Sequence, residues 1–327
     1  MSFNTNKNDN VMGIDIGTSR VRVYVKSKGI VYNEPCCCAV RRSDGKSLVF
    51  GSAARAFEGK AGSEVYILDI VKDSRLAYRD KAKELIGLII ANFKTLFYRG
   101  PRILCAVASD LSDVDLKTLE EIFFECGATS LKLVNSALAC ALANGISPRQ
   151  QKGAFFADIG AGSVTSAVIA SGQVASSNTV NCAGNVMTEA VIDYIAKKCA
   201  VRIGKQEAEK IKCRAAGARN ITIGKNMHNL LPGVVEIYSD EIILASEPAM
   251  FRITECLRET LRKTAPELCA DIYDSGVMLC GGASLMPGLG TYISGALKLP
   301  VHISKKGDIS AIEGVGRLIE SNLFDTI

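Results

Sequence analysis

The chain opens with short apolar segments rich in β-branched residues, separated by turns that contain glycine. Such segments predict strands, and the first three cover residues 11–16, 21–25 and 30–32. Two helices are then predicted from apolar residues at helical spacing, one over 81–93 and one from a cap at Ser112 to Gly127. A strand at 103–108 separates them. The first half therefore predicts a three-strand meander followed by alternating helices and strands.

The second half of the chain repeats this order. Its predicted strands and helices lie at 154–158, 164–169, 173–177, 186–198, 247–263 and 276–280, with a short helix beyond Pro287. Asp15 and Asp158 occupy matching positions, 143 residues apart (158 minus 15). A repeat this long predicts two homologous domains, because the units of solenoid proteins are far shorter.

Both halves contain an Asp-Ile-Gly turn, in "GIDIGTSRVRVYV" and in "FADIGAGSVTSAVI". Glycine and hydroxyl residues let backbone N–H groups approach an anion, which is how short turns hold phosphates. The candidate phosphate-binding residues are Gly17, Thr18 and Ser19 in the first turn and Gly160, Ala161, Gly162 and Ser163 in the second. Asp15 and Asp158 are the candidates for holding Mg²⁺ through water, since this cation is usually bound through one or two carboxylates. One such turn is a common hairpin, whereas two in corresponding positions favour phosphate binding.

A third glycine element lies in "VMLCGGASLMPGL", where Gly281, Gly282 and Ser284 follow a predicted strand and precede a helix. Exposed backbone at such a turn suits the flat face of an adenosine. Taken alone, the glycine pair indicates only a strand-to-helix turn.

Composition narrows the class of protein. The 327 residues are 48% hydrophobic and 22% charged, which is enough for a large core and favours two domains. A net charge of +5, with no run of like charges, argues against nucleic acid as a partner. The polar first ten residues and the lack of a stretch of roughly 20 apolar residues predict a cytoplasmic protein.

The twelve cysteines show no C-x-x-C spacing, so neither zinc binding nor redox chemistry is indicated. Cys36, Cys37 and Cys38 lie in an apolar run and are expected to be buried as small hydrophobic residues. A reactive thiol is the alternative.

The three glycine elements, in this order and spacing, resemble the phosphate-1, phosphate-2 and adenosine motifs of the actin, sugar kinase and heat-shock chaperone ATPase superfamily. Within it the chain most resembles the MreB-like bacterial actins, the rod shape-determining family. The likeness extends through "GATSLKLVNSALACALANG", "AGNVMTEAVIDYI" and "GDISAIEGVGRLIE" over nearly the whole length. It implies an α/β, actin-like ATPase fold, with two duplicated ribonuclease H-like domains around a nucleotide cleft and ATP and Mg²⁺ as cofactors.

The resemblance also implies a smaller insertion subdomain in each core domain. Core domain I would comprise residues 1–33 and 75–150, with its insertion at 34–74. Core domain II would comprise 151–182 and 246–327, whose end returns to domain I, with its insertion at 183–245.

Further adenosine contacts are implied by two stretches. In "EAEKIK", Glu209 and Lys212 match the family positions that flank the adenine, and their i, i+3 spacing places them on one helix face. An exposed helical ion pair is the alternative. Gly184 falls where the family has a glycine before the ribose.

One departure from the family concerns catalysis. Where the family has a Glu followed by Pro, with the Glu positioning the water that attacks the γ-phosphate, this chain has Ser136 and Ala137. Serine is too short and too weakly basic to replace a carboxylate, and the neighbouring Asn135 amide can orient water without accepting a proton. We therefore expect ATP binding with slow or negligible hydrolysis. Smaller departures are Ala161, where the family has a Gly, and Asn185 and Thr188, where it usually has acidic residues.

Family filaments form head to tail, so the implied partner is the chain itself. The family also attaches to the inner membrane surface and works with the cell-wall synthesis machinery. No amphipathic N-terminal helix is predicted here, but "FKTLFYRGPR" places Leu96 and Phe97 among cations, as in a membrane-contacting loop. The alternative is that both residues close the core at a helix end.

Three classes of function remain open at this stage. The first is an ATP-binding cytoskeletal filament that determines cell shape, guides cell-wall synthesis, or positions an organelle or plasmid. The second is a non-polymerising ATP-binding adaptor, like the pilus-assembly members of the superfamily. A small-molecule kinase ranks last, because no suitable carboxylate is evident near Asn135.

Overall fold

The computed structural model describes residues 10–93, 100–109, 111–147, 149–214 and 217–321. The loop residues Leu96 and Phe97 lie outside this set. The chain divides into two units, one of Met1–Gln150 with Ile309–Ile327 and one of Gln151–Asp308. Among the described residues, no helix is both long and apolar enough to cross a membrane.

The first unit contains ten strands and five helices within the described residues. The strands are β1 (Val11–Ile16), β2 (Arg20–Val25), β3 (Gly29–Pro35), β4 (Cys37–Arg41), β5 (Ser47–Phe50), β6 (Val65–Asp69), β7 (Val71–Lys72), β8 (Arg75–Leu76), β9 (Arg102–Val107) and β10 (Ser130–Asn135). The helices are α1 (Gly51–Arg55), α2 (Arg79–Phe93), α3 (Asp113–Glu125), α4 (Ser136–Ala143) and, from the end of the chain, α10 (Ser310–Glu320).

A five-stranded sheet in the order β10-β9-β1-β2-β3 forms the centre of this unit. Strands β1, β2 and β3 are an antiparallel meander, and β9 and β10 add in parallel beside β1. The apolar faces of α2 and α3 pack on the sheet, with Ile86, Ile89 and Phe123 almost fully buried. A smaller antiparallel sheet, β5-β4-β6, follows the meander, and its central strand β4 carries two of the three consecutive cysteines. All three, Cys36 to Cys38, are buried, as predicted.

The second unit has the remaining elements. The strands are β11 (Ala154–Ile159), β12 (Val164–Ala170), β13 (Gln173–Val180), β14 (Val201–Arg202), β15 (Arg219–Asn226), β16 (Pro232–Tyr238), β17 (Val277–Cys280) and β18 (Val301–Ile303). The helices are α5 (Gly184–Cys199), α6 (Lys205–Lys212), α7 (Ser239–Arg262), α8 (Pro266–Ser275) and α9 (Leu289–Leu297). Short 3-10 turns cover Gly282–Leu285 and Gly307–Ile309.

The main sheet of the second unit repeats the plan of the first. Its order is β13-β12-β11-β17-β18, with an antiparallel meander followed by two parallel additions beside β11. A three-stranded sheet, β14-β15-β16, stands apart from it. The duplication inferred from the paired turns is therefore present in the strand order of both main sheets.

One helix differs clearly from its predicted position. Helix α7 begins at Ser239, eight residues before the expected start at 247 (247 minus 239). A proline is tolerated in the first turn of a helix, where its missing N–H has no intrahelical partner, and Pro248 would lie in that turn if the helix began at 247. Here it lies inside the helix, where the flanking turns, packed on the core through Ile242 and Ala249, compensate for the lost hydrogen bond.

Candidate functional site

The first Asp-Ile-Gly turn connects β1 to β2 and is closed by a backbone hydrogen bond. The N–H of Gly17 donates to the carbonyl oxygen of Arg20 at 2.9 Å. A Cβ on Gly17 would lie 3.1 Å from that oxygen, so the turn is tight where glycine stands. The Oγ1 of Thr18 accepts a hydrogen bond from the N–H of Ser74 at 3.2 Å. The connection between β7 and β8 thus fixes the position of the candidate phosphate-binding hydroxyl.

Asp15 lies on β1 directly opposite Arg22 on β2. The Nη1 of Arg22 is 3.4 Å from the Oδ2 of Asp15, and Arg22 is 6% exposed. On the neighbouring strand β9, the pKa of the Cys105 thiol is raised by burial and also by the charge of Asp15, so this thiol is neutral at ordinary pH. Arg22 was not among the candidate site residues predicted from the sequence. Counting outwards from the Gly17–Arg20 turn would have paired it with Asp15.

The second turn connects β11 to β12 with the same closure. The N–H of Gly160 donates to the carbonyl oxygen of Ser163 at 2.9 Å. Helix α5 begins against this turn, because the N–H of Gly184 donates to the Gly160 oxygen at 3.1 Å and that of Asn185 to the Ala161 oxygen at 2.7 Å. Gly184, the glycine expected on the ribose side, therefore contacts the second Asp-Ile-Gly turn.

Gly281 also contacts the strand that carries Asp158. Its φ of +81° lies in the region that favours glycine. A Cβ there would come within 2.3 Å of the Ile159 carbonyl oxygen and 2.6 Å of the Asp158 Oδ1. Ser284 is fully buried and its Oγ donates to the Gly281 carbonyl oxygen at 2.7 Å, so this hydroxyl stabilises the turn itself.

Lys212 is a buried cation at the end of α6, with 3% of its surface exposed. Its Nζ donates to the Gly184 carbonyl oxygen at 2.9 Å, to the Thr188 Oγ1 at 2.9 Å and to the Glu209 Oε2 at 2.6 Å. An ammonium group has three N–H donors, and each has an acceptor here. Lys212 is thus not part of a fully exposed ion pair, and it ties α6 to the start of α5. The Glu209 side chain is 52% exposed.

Ser136 is the first residue of α4 and is 8% exposed. Helix α10 holds α4 in place. A Cβ on Gly314 would lie 1.8 Å from the Ala139 carbonyl oxygen, and the Nη1 of Arg317 donates to the Leu142 carbonyl oxygen at 2.6 Å. Position 136 therefore sits on a helix fixed at its middle and its end.

Asn135 is the N-cap of α4 and not an obvious water-orienting group. Its Oδ1 accepts hydrogen bonds from the N–H groups of Ala137 at 2.9 Å and Leu138 at 3.2 Å, and its Nδ2 donates to Ser109. Both ends of the amide are therefore engaged inside the protein. The Asn135 amide therefore serves to cap α4.

Asn135→Ala should lower the free energy of unfolding by about 1 kcal/mol, the usual cost of losing an N-cap. Asn135→Asp keeps the acceptor oxygen and should remain within roughly 0.5 kcal/mol of the wild type. Urea unfolding followed by circular dichroism measures both variants. Equal stability of the alanine variant and the wild type would show that the cap contributes nothing.

The two turns fit a nucleotide better than they fit a metal bound by protein ligands alone. A Cβ on Gly17, Gly160 or Gly184 would lie 3.1–3.3 Å from a backbone oxygen, so glycine allows compact turns at these positions, and compact glycine turns are of the kind that bind phosphate. Among the described residues, no group of three or more His, Cys, Asp or Glu side chains is placed to hold a metal ion. Mg²⁺ tolerates this, because it keeps several waters and takes one or two carboxylates together with phosphate oxygens. Asp15 in the first unit and Asp158 in the second unit are each a candidate carboxylate for it.

Comparison with known proteins agrees with this geometry. The family model described as MreB/Mbl protein matches residues 9–324. The cell shape-determining protein Mbl of Bacillus cereus is 30% identical over 318 residues, covering 95% of this chain and 96% of its own. Crystal structures of MreB5 of Spiroplasma citri bound to ADP and to AMPPNP superpose with a TM-score of 0.90 at 27% identity, the ADP form covering 96% of this chain and 98% of its own.

A more distant structure, the MamK double helical filament, shares the fold with a TM-score of 0.77 at 20% identity, over 95% of this chain and 98% of its own. The strand order of the two main sheets and the superposition on MreB5 make the fold actin-like. Since the family model spans almost the whole length, the chain belongs to the MreB/Mbl family.

Proposed function

We propose that this chain binds ATP with Mg²⁺ and polymerises head to tail into cytoskeletal filaments that determine cell shape or guide cell-wall synthesis. We also propose that it hydrolyses ATP slowly. Family membership supports the first proposal, together with the nucleotides named in the MreB5 structures. Contact with the inner membrane surface and with the cell-wall synthesis machinery belongs to the same proposal and rests on the resemblance.

The observation that carries nucleotide binding is the pair of equivalent turns. Each is closed by a 2.9 Å backbone hydrogen bond from its glycine, Gly17 or Gly160, and each follows the aspartate-bearing strand of its sheet. Gly184 packs against the second turn itself, and Gly281 packs against β11, the strand that leads into this turn. Backbone N–H groups at such turns bind phosphate oxygens, and Gly281 and Gly282 are assigned to the adenosine.

Slow hydrolysis follows from the group at position 136. Phosphoryl transfer to water needs a residue that orients the attacking water. The residue at this position is Ser136, at the buried and N-capped start of α4, and its hydroxyl is a weak base. Ser136 is therefore assigned to the catalytic position in an impaired form.

A non-polymerising adaptor is the second candidate, and one surface favours a binding role. On the outer face of β15 and β16, Ile221, Ile223 and Val234 are each more than half exposed. Exposed apolar patches of this kind mark interaction sites. A second copy of the chain would use this face in a filament, and another protein would use it in an adaptor.

Sedimentation separates the two candidates. The purified protein is centrifuged with Mg-ATP, with Mg-ADP and without nucleotide, and phosphate release is measured in the same tubes. We expect most of the protein to pellet with Mg-ATP while phosphate stays well below one equivalent per subunit. Protein that binds ATP but stays in the supernatant under all three conditions would replace the filament by the adaptor, and rapid phosphate release would refute slow hydrolysis.

A further inference from the structure

Helix α5 begins at the second Asp-Ile-Gly turn without a side-chain cap. Its N-cap residue, Ala183, makes no side-chain hydrogen bond, although the first N–H groups of a helix need partners outside it. The N–H of Gly184 donates instead to the Gly160 carbonyl oxygen at 3.1 Å. That of Asn185 donates to the Ala161 carbonyl oxygen at 2.7 Å. The turn therefore supplies the acceptors that a capping side chain would give, and the turn and α5 fix each other.

Gly184 has little room to move against this turn. A Cβ on Gly184 would lie 3.2 Å from the Gly160 carbonyl oxygen and 3.4 Å from both the Ala161 Cα and the Ala283 Cβ. In a close-packed interior, a displaced atom pushes its neighbours. A shift of Gly184 would therefore also displace the Gly160–Ser163 turn.

Lys212 holds Gly184 from the opposite side. Its Nζ donates to the Gly184 carbonyl oxygen at 2.9 Å, and its side chain is 2% exposed. The two remaining N–H groups are donated to the Thr188 Oγ1 and the Glu209 Oε2. A nucleotide would gain a donor from Lys212 only if one of these acceptors lost it, at the cost of a hydrogen bond to a charged group. The ammonium group is therefore committed to the protein.

The charge of Lys212 keeps the ammonium group in this place. A buried cation without an anion is costly, and Glu209, three residues earlier on α6, lies 2.6 Å away. Ala208 and Ile211 anchor the same helix in the core. Helix α6 is thus a fixed base from which Lys212 reaches the first residue of α5.

We propose that Lys212 is a positioning residue for phosphate binding, which holds Gly184 where it orders the Gly160–Ser163 turn and makes no contact with the nucleotide itself. This inference rests on the proposed binding of ATP and deepens it. It moves the effect of Lys212 from the adenosine to the phosphates. The affinity of the chain for a bare triphosphate should therefore depend on Lys212.

Competition against a fluorescent ATP analogue, with Mg²⁺ and the purified full chain, tests this role. ATP and inorganic tripolyphosphate are the two competitors. Lys212→Met should weaken both by the same factor of about five, roughly the value of one hydrogen bond. Loss of affinity for ATP alone would overturn the proposal in favour of an adenosine contact. Unchanged affinity for both competitors would overturn it in favour of a purely structural role.

Lys210→Met is the matched control. Lys210 lies on the same helix, but its side chain is 69% exposed and its Nζ is 3.6 Å from the Glu207 Oε2. Both affinities should stay at their wild-type values in this variant. An equal loss in Lys210→Met and Lys212→Met would overturn the proposal, because the effect would then come from the charge of α6.

Hydrogen–deuterium exchange without nucleotide gives a second readout. In Lys212→Met, the amides of residues 159–164 and 184–188 should exchange about fivefold faster than in the wild type, since local opening of the turn costs less free energy. Lys210→Met should leave them unchanged. Wild-type exchange in Lys212→Met would overturn the positioning role.

Lys212→Met could fail to fold, which thermal unfolding would detect. Thr188→Val combined with Lys212→Met replaces both polar groups by apolar ones of similar shape and should fold. It should bind ATP and tripolyphosphate about fivefold more weakly than Thr188→Val alone. Equal affinities of these two variants would overturn the role of Lys212.

The wild type separates this inference from the proposed function. If it binds ATP but tripolyphosphate does not compete, the turn is not ordered for phosphate and the inference fails alone. If it binds neither ligand, the proposed function fails and the inference fails with it.

Discussion

Gly281→Ala is expected to destabilise the protein by roughly 4 kcal/mol and to abolish measurable ATP binding by the fraction that still folds. Alanine at a φ of +81° is strained, and its Cβ would lie 2.3 Å from one backbone oxygen and 2.6 Å from the Asp158 carboxylate. The Ile159 carbonyl oxygen cannot move without displacing β11, which leads into the second Asp-Ile-Gly turn. The lesion therefore acts on stability and on the nucleotide site together. Urea unfolding and titration with an ATP analogue measure the two effects.

Gly282→Ala provides the neighbouring comparison. A Cβ at this position would lie 3.4 Å from the Asp308 Cβ, an ordinary contact, so its free energy of unfolding should stay within about 1 kcal/mol of the wild type. If the adenosine packs on this backbone as proposed, Gly282→Ala should lose affinity while keeping stability. Wild-type stability of Gly281→Ala would show that β11 and the Gly281 turn are less tightly packed than the structure indicates.

The repeated turns were predictable because local chemistry determines them. Asp-Ile-Gly after an apolar strand specifies a tight turn wherever it occurs, and its recurrence after 143 residues (158 minus 15) exposes the duplication. The predicted helix after Ser112 also agrees with the structure, in which Ser112 and Asp115 form a capping box at the start of α3. Caps and turns involve residues close in sequence, so a single sequence contains the information for them.

The sheet β14-β15-β16 could not be predicted in the same way. Along β15, the apolar residues Ile221 and Ile223 face solvent, while Asn220 and Thr222 are buried. This reverses the usual relation between polarity and burial on which strand prediction depends. The Nδ2 of Asn220 donates to the Ser239 Oγ at 3.2 Å, so a contact distant in sequence satisfies the buried amide.

The candidate site shows the same division between local and distant information. The glycines of the turns were predicted from sequence, whereas the environment of Lys212 depends on Gly184 and Thr188, residues more than twenty positions away. The resemblance placed Lys212 beside the adenine without indicating that its three donors are already used by protein atoms. Its role in the structure is to hold α6 against the start of α5.

Ser136→Glu is expected to raise the rate of phosphate release at least about tenfold, because it supplies the carboxylate that can orient and deprotonate water. The first turn of α4 tolerates a negative charge, since the positive end of the helix dipole favours an anion by about 0.3–1 kcal/mol. The fold should therefore survive the change, although position 136 is only 8% exposed. Phosphate release at saturating Mg-ATP, together with thermal unfolding, measures the rate and the stability.

Ser136→Gln is the control, because glutamine has the size of glutamate without its basicity. It separates the effect of the missing base on the rate of phosphate release from the effect of side-chain size. If glutamine leaves the rate unchanged while glutamate raises it, the serine limits turnover through the missing base. Equal rates in both variants would instead show that turnover is limited by another feature, such as the position of α4 or the conformation of the two Asp-Ile-Gly turns. Filaments of a faster glutamate variant should also depolymerise sooner after ATP is exhausted, since hydrolysis removes the nucleotide state that favours assembly. The lifetime of pelletable protein would then connect one side chain to the stability of the filament.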